Sequence, residues 1–322
     1  MLTVIHVPGG MGSELIDAKG RRVWGRVRSF LRPPSRTLML PDGGALRPGG
    51  VVTRVRAIPR LWEVSLYHKW LLRLADAGFR YGAFAYDWRR PMEETAEALE
   101  AFIASIDGDV ALVSHSQGGL AILRALQRGA ITPRVRCALL VGLPMPGSFW
   151  AYRCMFTGLR PVRIGGSISP EAMRSFRSAW DQVPPSATMV DLDRDETYTV
   201  DLHSRGPWYP FEGPLEEVRR AHEALRTPLP DGVPVHALSS TGFPTPCGFV
   251  MRKGKVAFPS QRECRRRGWP LYHDGDASVP PLPEGPHPLG MTVHRLHALH
   301  RYAFNDAGVQ EKLLALLREH IG

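Results

Sequence analysis

The chemistry legible in this chain starts at a serine held between small residues where an apolar strand turns into a helix. The run Ala111-Leu112-Val113-Ser114-His115-Ser116-Gln117-Gly118-Gly119-Leu120 reads as strand, small-x-Ser-x-Gly turn and helix, the last continuing through Ala121-Ile122-Leu123-Arg124-Ala125-Leu126. So sharp a turn lifts the central hydroxyl clear of the sheet and admits only small flanking residues, the geometry of a nucleophile elbow. Ser116 is therefore the candidate nucleophile, and Ser114 stands where the usual motif has its first Gly. The competing reading is a plain helix N-cap serine, which needs the same turn and no chemistry.

A nucleophilic serine needs a base, an acid that orients the base, and donors for an oxyanion. After an elbow of this kind the partners follow in the order acid, then histidine. Tyr272-His273-Asp274-Gly275-Asp276-Ala277-Ser278-Val279-Pro280 offers two acids, Asp274 and Asp276, and Asp-Gly pairs are also ordinary turn formers. Beyond them His294, His297 and His300 recur at intervals of three. Residue types alone leave both choices open. The oxyanion donors belong at the N-terminus, where the β-branched strand Leu2-Thr3-Val4-Ile5-His6-Val7 runs into Pro8-Gly9-Gly10-Met11-Gly12-Ser13. One donor is the N–H after the nucleophile, here Gln117, and the other comes from this strand-end loop. The glycines fit neither G-x-G-x-x-G nor a G-K-[S/T] phosphate loop, so no nucleotide cofactor is expected.

These pieces resemble, in order and nearly end to end, the lecithin:cholesterol acyltransferase family of α/β-hydrolases, which includes lysosomal phospholipase. Val7-Pro8-Gly9-Gly10-Met11-Gly12-Ser13 is similar to its oxyanion loop V-P-G-x-x-G-S, Tyr86-Asp87-Trp88-Arg89 to Y-D-W-R, and Leu112 to Gly119 to its nucleophile strand. Gly142-Leu143-Pro144-Met145-Pro146-Gly147-Ser148 is similar to G-T-P-x-x-G-S, and Arg174-Ser175-Phe176-Arg177-Ser178 with Val183-Pro184 to R-S-x-P-S … L-P. Thr241-Gly242-Phe243-Pro244-Thr245 is similar to G-x-G-x-x-T, and Gly275-Asp276-Ala277-Ser278-Val279-Pro280 to G-D-G-T-V-P. The resemblance implies Asp276 as the acid, His300 as the base (counted back from Asn305-Asp306), and the Met11 N–H as partner of Gln117. Ala277 and Ser278 replace Gly and Thr, read as conservative in a turn, and Arg177 replaces a Pro of the lid region. The implied fold is α/β, a mostly parallel central sheet with helices on both faces and an inserted cap. The implied activity is acyl-ester hydrolysis or transfer through an acyl-enzyme that water or an acceptor alcohol resolves.

The elements that must position these residues divide as core 1–147 and 233–322, with a Pro-, Gly- and Arg-rich excursion over 14–60, and a cap over 148–232. The cap carries Phe149, Trp150, Met155, Phe156, Trp208, Tyr209 and Phe211, either a lipid-facing lid or the cap's own core. Gly10, Trp88, Phe149 and Trp150 are the expected substrate contacts. Asp87 and Arg89 read first as a structural pair that lets Trp88 pack.

Composition narrows the remaining classes. A chain of 322 residues with 43% hydrophobic content is globular, and α/β folds run this long as one unit. No apolar run approaches about 18 residues, so no membrane span is expected. Met1 stands directly before the first strand, which points to a cytoplasmic chain without a signal peptide. The net charge of +10 is carried mostly by arginine, since lysine occurs only at 19, 69, 253, 255 and 312. The densest run, Arg262 with Arg265-Arg266-Arg267, reads as loop without interleaved aromatics, so a nucleic-acid partner is not expected, and a weak anionic-membrane contact stays open. Cys137, Cys154, Cys247 and Cys264 lack metal spacing, and free thiols are expected, no metal being required. Two alternatives to a lipid ester stand: a natural-product ester processed inside the cell, and a catalytically silent binding protein on the same fold.

Overall fold

The computed structural model describes residues 2–41, 46–58, 62–162 and 165–321; parts of the 14–60 excursion, at 42–45 and 59–60, lie outside them. Seven strands make the central sheet: β1 (Thr3–Val7), β2 (Tyr81–Ala83), β3 (Val110–His115), β4 (Val135–Val141), β5 (Val235–Ser240), β6 (Gly285–His287) and β7 (Met291–Leu296). Their order is β6-β7-β5-β4-β3-β1-β2, parallel throughout except for the β6–β7 edge.

Parallel strands covered on both faces read as continuous apolar runs rather than as alternating ones, and Ala111-Leu112-Val113 and Ala138-Leu139-Leu140 are such runs. In register, Val4 pairs with Ala111 and Ile5 with Leu112. Val4, Val113 and Leu139 point into one core with α1 (His68–Asp76) and α4 (Ala307–Ile321), while Ile5, Leu112 and Leu140 point into the other with α2 (Met92–Ala104) and α3 (Gln117–Arg128). The helices thus flank both faces, as the resemblance implies.

Between β4 and β5 the chain leaves the sheet. Helices Phe149–Thr157, Pro170–Ser175 and Arg177–Asp181 precede a second, four-stranded sheet of Ser186–Asp191, Glu196–Asp201, Gly248–Arg252 and Lys255–Ala257. The aromatics pack on each other: Tyr152 lies 5.1 Å from Phe156 and 5.5 Å from Tyr209, and Phe156 lies 5.0 Å from Phe211. Tyr152, Phe156, Tyr209 and Phe211 form an internal core, whereas Trp150 of the same cluster lines the cavity described below. Asp181 reaches back to accept the Met92 N–H at 2.7 Å, joining this region to the start of α2; burial, the largest influence, raises its carboxyl to about 6.

Two readings are corrected. The arginine run lies not in a loop but on a helix, Gln261–Arg267. Ser260 Oγ accepts the Glu263 N–H, and Gly268 closes the helix at φ +67°, start and stop signals that outweigh the local charge. Ala277 is not a neutral replacement, because its φ is +76°, a region that favours glycine. All four cysteines are free. Among the described residues no helix is long and apolar enough to cross a membrane.

Candidate active site

The elbow forms because its neighbours are small. Ser116 sits at φ +51°, ψ −126°, with its N–H bonded to Val141 O at 2.8 Å. A Cβ on Gly118 would come within 2.5 Å of Pro8 O, and one on Gly119 within 2.9 Å of Leu143. The strained turn, of order 1–3 kcal/mol, therefore depends on glycine at both positions. The N-terminal loop closes against it: a Cβ on Gly9 would lie 3.1 Å from Ser116 Cβ, and one on Gly10 2.7 Å from Gln117 Oε1. Met11 lies next along that loop at φ +65°. Gln117 opens α3, so its N–H has no partner inside the helix. Its side chain anchors to Trp88 O at 3.1 Å.

His300 Nε2 lies 2.9 Å from Ser116 Oγ, and its Nδ1 lies 2.6 Å from Asp276 Oδ2. A carboxylate can only accept, so the imidazole proton is on Nδ1 and Nε2 receives the serine hydroxyl. Asp276 is 2% exposed. Its other oxygen accepts the N–H groups of Ser278 at 2.9 Å and Val279 at 2.6 Å. The Ala277 N–H is held by Thr245 Oγ1 at 2.9 Å, so the bend at Ala277 is what aims the carboxylate.

The competing residues lie elsewhere. Asp274 accepts the Gly242 N–H at 2.6 Å on an exposed strand, Tyr272–Gly275. His297 bonds Thr241 O and stacks on Phe243 at 4.7 Å. His294 lies on β7 and meets His236. Of these candidates only Asp276 and His300 come together at Ser116.

A cavity of about 470 Å³ opens at the serine, lined by Gly10, Met11, Trp88, Gln117, Trp150 and apolar side chains such as Phe30, Met173 and Phe176. Phe149 is a correction: it is 4% exposed and packs against Tyr152, at 5.4 Å, and Phe258, not on the cavity. It is the first residue of its helix, turned inward while Trp150 turns to the cavity. Trp88 is both packed and on the cavity wall. Its Nε1 donates to Ser13 O at 3.1 Å while its ring borders the cavity, and Arg89, fully buried, grips Asp87 through two bonds of 2.9 and 2.7 Å.

Three residues were not singled out from sequence. A Cβ on Gly142, at the end of β4, would lie 2.9 Å from His300 Nδ1, so only glycine leaves room for the His300–Asp276 pair. His115 and Tyr67 are bonded at 2.9 Å beside the elbow. A glycine directly after an apolar strand was the available signal for the first; nothing local marks Tyr67. Among the described residues no group of side chains is placed to hold a metal ion.

Residues 56–177 match the family model described as lecithin:cholesterol acyltransferase. The chain is 24% identical over 310 residues to the lysosomal phospholipase A and acyltransferase of Canis lupus familiaris, an alignment covering 81% of this chain and 73% of that one. The protein of the same description from Rattus norvegicus is 24% identical over 311 residues, covering 81% and 72%. Among solved structures, the Tle4–Tli4 complex gives a TM-score of 0.59 at 13% identity over 97% of both chains, a likeness of fold. With seven ordered motifs, the family-model match and these relatives in agreement, the chain is similar to the lecithin:cholesterol acyltransferase-like α/β-hydrolases.

Proposed function

We propose that this chain is a serine-dependent acyl-ester hydrolase or acyltransferase. The observation that carries the reading is the line Ser116 Oγ, His300, Asp276, at 2.9 and 2.6 Å, opening on an apolar cavity. Ser116 attacks the acyl carbonyl as His300 takes its proton; Asp276 holds the ring and stabilises the imidazolium. The N–H groups of Met11 and Gln117 receive the oxyanion. His300 then protonates the leaving alcohol, and water or an acceptor alcohol, deprotonated by His300, releases the acyl group. Residues 148–232 serve as a cap whose Trp150, with Trp88 and Gly10 below, borders the acyl chain. The substrate is a lipid or other apolar ester, in line with the relatives' description as phospholipase A and acyltransferase. Leu299 and Tyr302 are exposed beside Arg301 at the cavity, which favours a weak contact with an anionic lipid surface.

A fluorophosphonate probe tests the chemistry: it should label wild type and not Ser116→Ala. A binding protein on the same fold would leave both unlabelled. The substrate reading is tested by kcat/KM for p-nitrophenyl esters from C2 to C16. Each CH₂ buried adds about 0.8 kcal/mol, so C8 should exceed C2 by on the order of a hundredfold or more before the cavity fills. A steady fall with chain length would favour a small natural-product ester and leave the labelling result standing. Product analysis with alcohol acceptors separates transfer from hydrolysis.

A further inference from the structure

Three hydrogen bonds run from the N-terminal loop to the backbone of His300 without passing through Ser116. The Gly9 N–H donates to Tyr67 Oη at 3.0 Å, Tyr67 Oη lies 2.9 Å from His115 Nδ1, and His115 Nε2 lies 3.0 Å from His300 O. Each direction is determined. A carbonyl oxygen only accepts, so His115 carries its proton on Nε2. The ring is half-buried at the edge of the cavity, and desolvation first, then the neighbouring His300, holds its pKa well below the usual histidine range, so Nδ1 stays a bare acceptor. Tyr67 must then donate to Nδ1. Burial raises its phenol, which keeps that proton, and its lone pair takes the Gly9 N–H. The chain is neutral and one-way from end to end.

Its ends matter. Gly9 directly precedes Gly10 and Met11 of the loop that borders Ser116. At the other end His300 is already held by its N–H on Asp276 O at 3.0 Å and by its ring on the Asp276 carboxylate at 2.6 Å; His115 takes its remaining backbone group. Tyr67 is itself fixed, because the N–H groups of Leu66, Tyr67 and His68 all converge on Thr53 O, at 2.9, 3.0 and 3.1 Å. The rings of His6, His115 and Phe304 pack around it at 4.4 to 5.8 Å.

We infer that Tyr67 and His115 are positioning residues that hold the oxyanion loop and the base His300 in one frame around Ser116. This rests on the reading of Ser116, His300 and Met11 given above. The inference adds that the loop and the base, 291 positions apart (Gly9 to His300), are set relative to each other by a tyrosine and by the residue just before the nucleophile. Displacing a reacting group by about 1 Å costs on the order of a hundredfold in rate, so a partial loosening of this frame should cost about tenfold.

The test uses the full chain, with fluorophosphonate labelling rate and kcat and KM on a p-nitrophenyl ester as readouts. Tyr67→Phe removes the hydroxyl and keeps the ring. Labelling rate and kcat should fall about ten- to thirtyfold, the equivalent of one or two buried hydrogen bonds, with KM changed less than about twofold. His115→Gln can still accept from Tyr67 and donate to His300 and should retain most of the rate. His115→Met has similar bulk and neither group, and should fall about as far as Tyr67→Phe. The double variant Tyr67→Phe with His115→Met should be no worse than either alone, since each breaks the same chain. A packing role gives the reverse pattern: Met equal to or better than Gln, and effects that multiply. That pattern, or a Tyr67→Phe protein labelling at the wild-type rate, overturns the inference while leaving Ser116 as nucleophile. Wild type that does not label removes the functional reading and the inference with it.

Discussion

Among the described residues two chains of hydrogen bonds run through histidines, and they are built differently. One includes His115 and ends at the carbonyl of His300, whose ring in turn ends at the Asp276 carboxylate. The other joins β5, β7 and the end of α4: His236 Nδ1 meets His294 Nε2 at 2.9 Å, and His236 Nε2 meets His320 Nε2 at 2.7 Å. A carboxylate, a carbonyl and a backbone N–H each have one direction, so the first chain has a single proton pattern. Three imidazoles can each donate or accept, so the second has several patterns of similar energy. Glu319 Oε1 lies 4.0 Å from His320 Nε2 in that trio. Burial first, then His294 and His320, pushes His236 down to about 4. A histidine chain has a single proton pattern only when its ends are one-way groups.

The largest test of that contrast is at the anchored end. Ser116→Ala and His300→Ala should each lower kcat by about 10⁶, and the double variant by no more, because the two act as one unit. Near-wild-type turnover in clean Ser116→Ala would sink the assignment.

Next in size is the anchor itself. Asp276→Asn should cost about 10⁴ in kcat, since an amide in place of the carboxylate lets the ring take the wrong tautomer. Asp274→Asn, on its exposed strand, should leave kcat within about threefold. If the two are equally damaging, the direction of the His300 proton is not set where the geometry puts it.

A smaller effect separates buried histidines from anchored ones through pH. Burial pushes His6 down to about 3, and neither ring nitrogen has a partner among the described residues. The unfolded value is about 6.5, so below that pH the unfolded chain binds the proton and the folded one does not. Stability from this group is complete above pH 6.5 and declines as pH falls towards 3, by about 1.4 kcal/mol per unit. The thermal midpoint should therefore be a few degrees lower at pH 5 than at pH 7.5. His6→Phe keeps the ring contacts with Tyr67 and Phe304, at 4.4 and 5.0 Å in the parent, and should shrink that gap. An unchanged gap would mean that other groups carry the acid sensitivity.

The smallest expected effect is on the unanchored chain. His236→Phe should leave kcat/KM within about twofold, since nothing ties that trio to Ser116. A loss as large as that of Tyr67→Phe would erase the distinction between the two chains.

How much was legible beforehand follows from sequence distance. The elbow, the N-terminal loop and the apolar parallel strands were readable because each is decided within about ten residues by sterics and period. The arginine helix was misread because its run of charge hid a capping serine and a terminal glycine. Phe149 was misplaced because adjacent helix positions face different ways, and only packing against Tyr152 and Phe258 selects the inward one. Ala277 looked harmless because a residue's φ is not written in its type.

The sequence by itself determined the strand-to-helix serine, the loop that closes over it and the family the chain resembles. From residue types it could not choose between Asp274 and Asp276, or among His294, His297 and His300; resemblance made that choice. The tertiary structure alone decided what surrounds them: the glycine at 142 that leaves room for the His300–Asp276 pair, and the bonds through Tyr67 and His115. The reason is physical. A turn is governed by clashes between near neighbours, while a bond spanning 185 residues, as from His115 to His300, exists only once sheet register and helix packing have brought its two ends together.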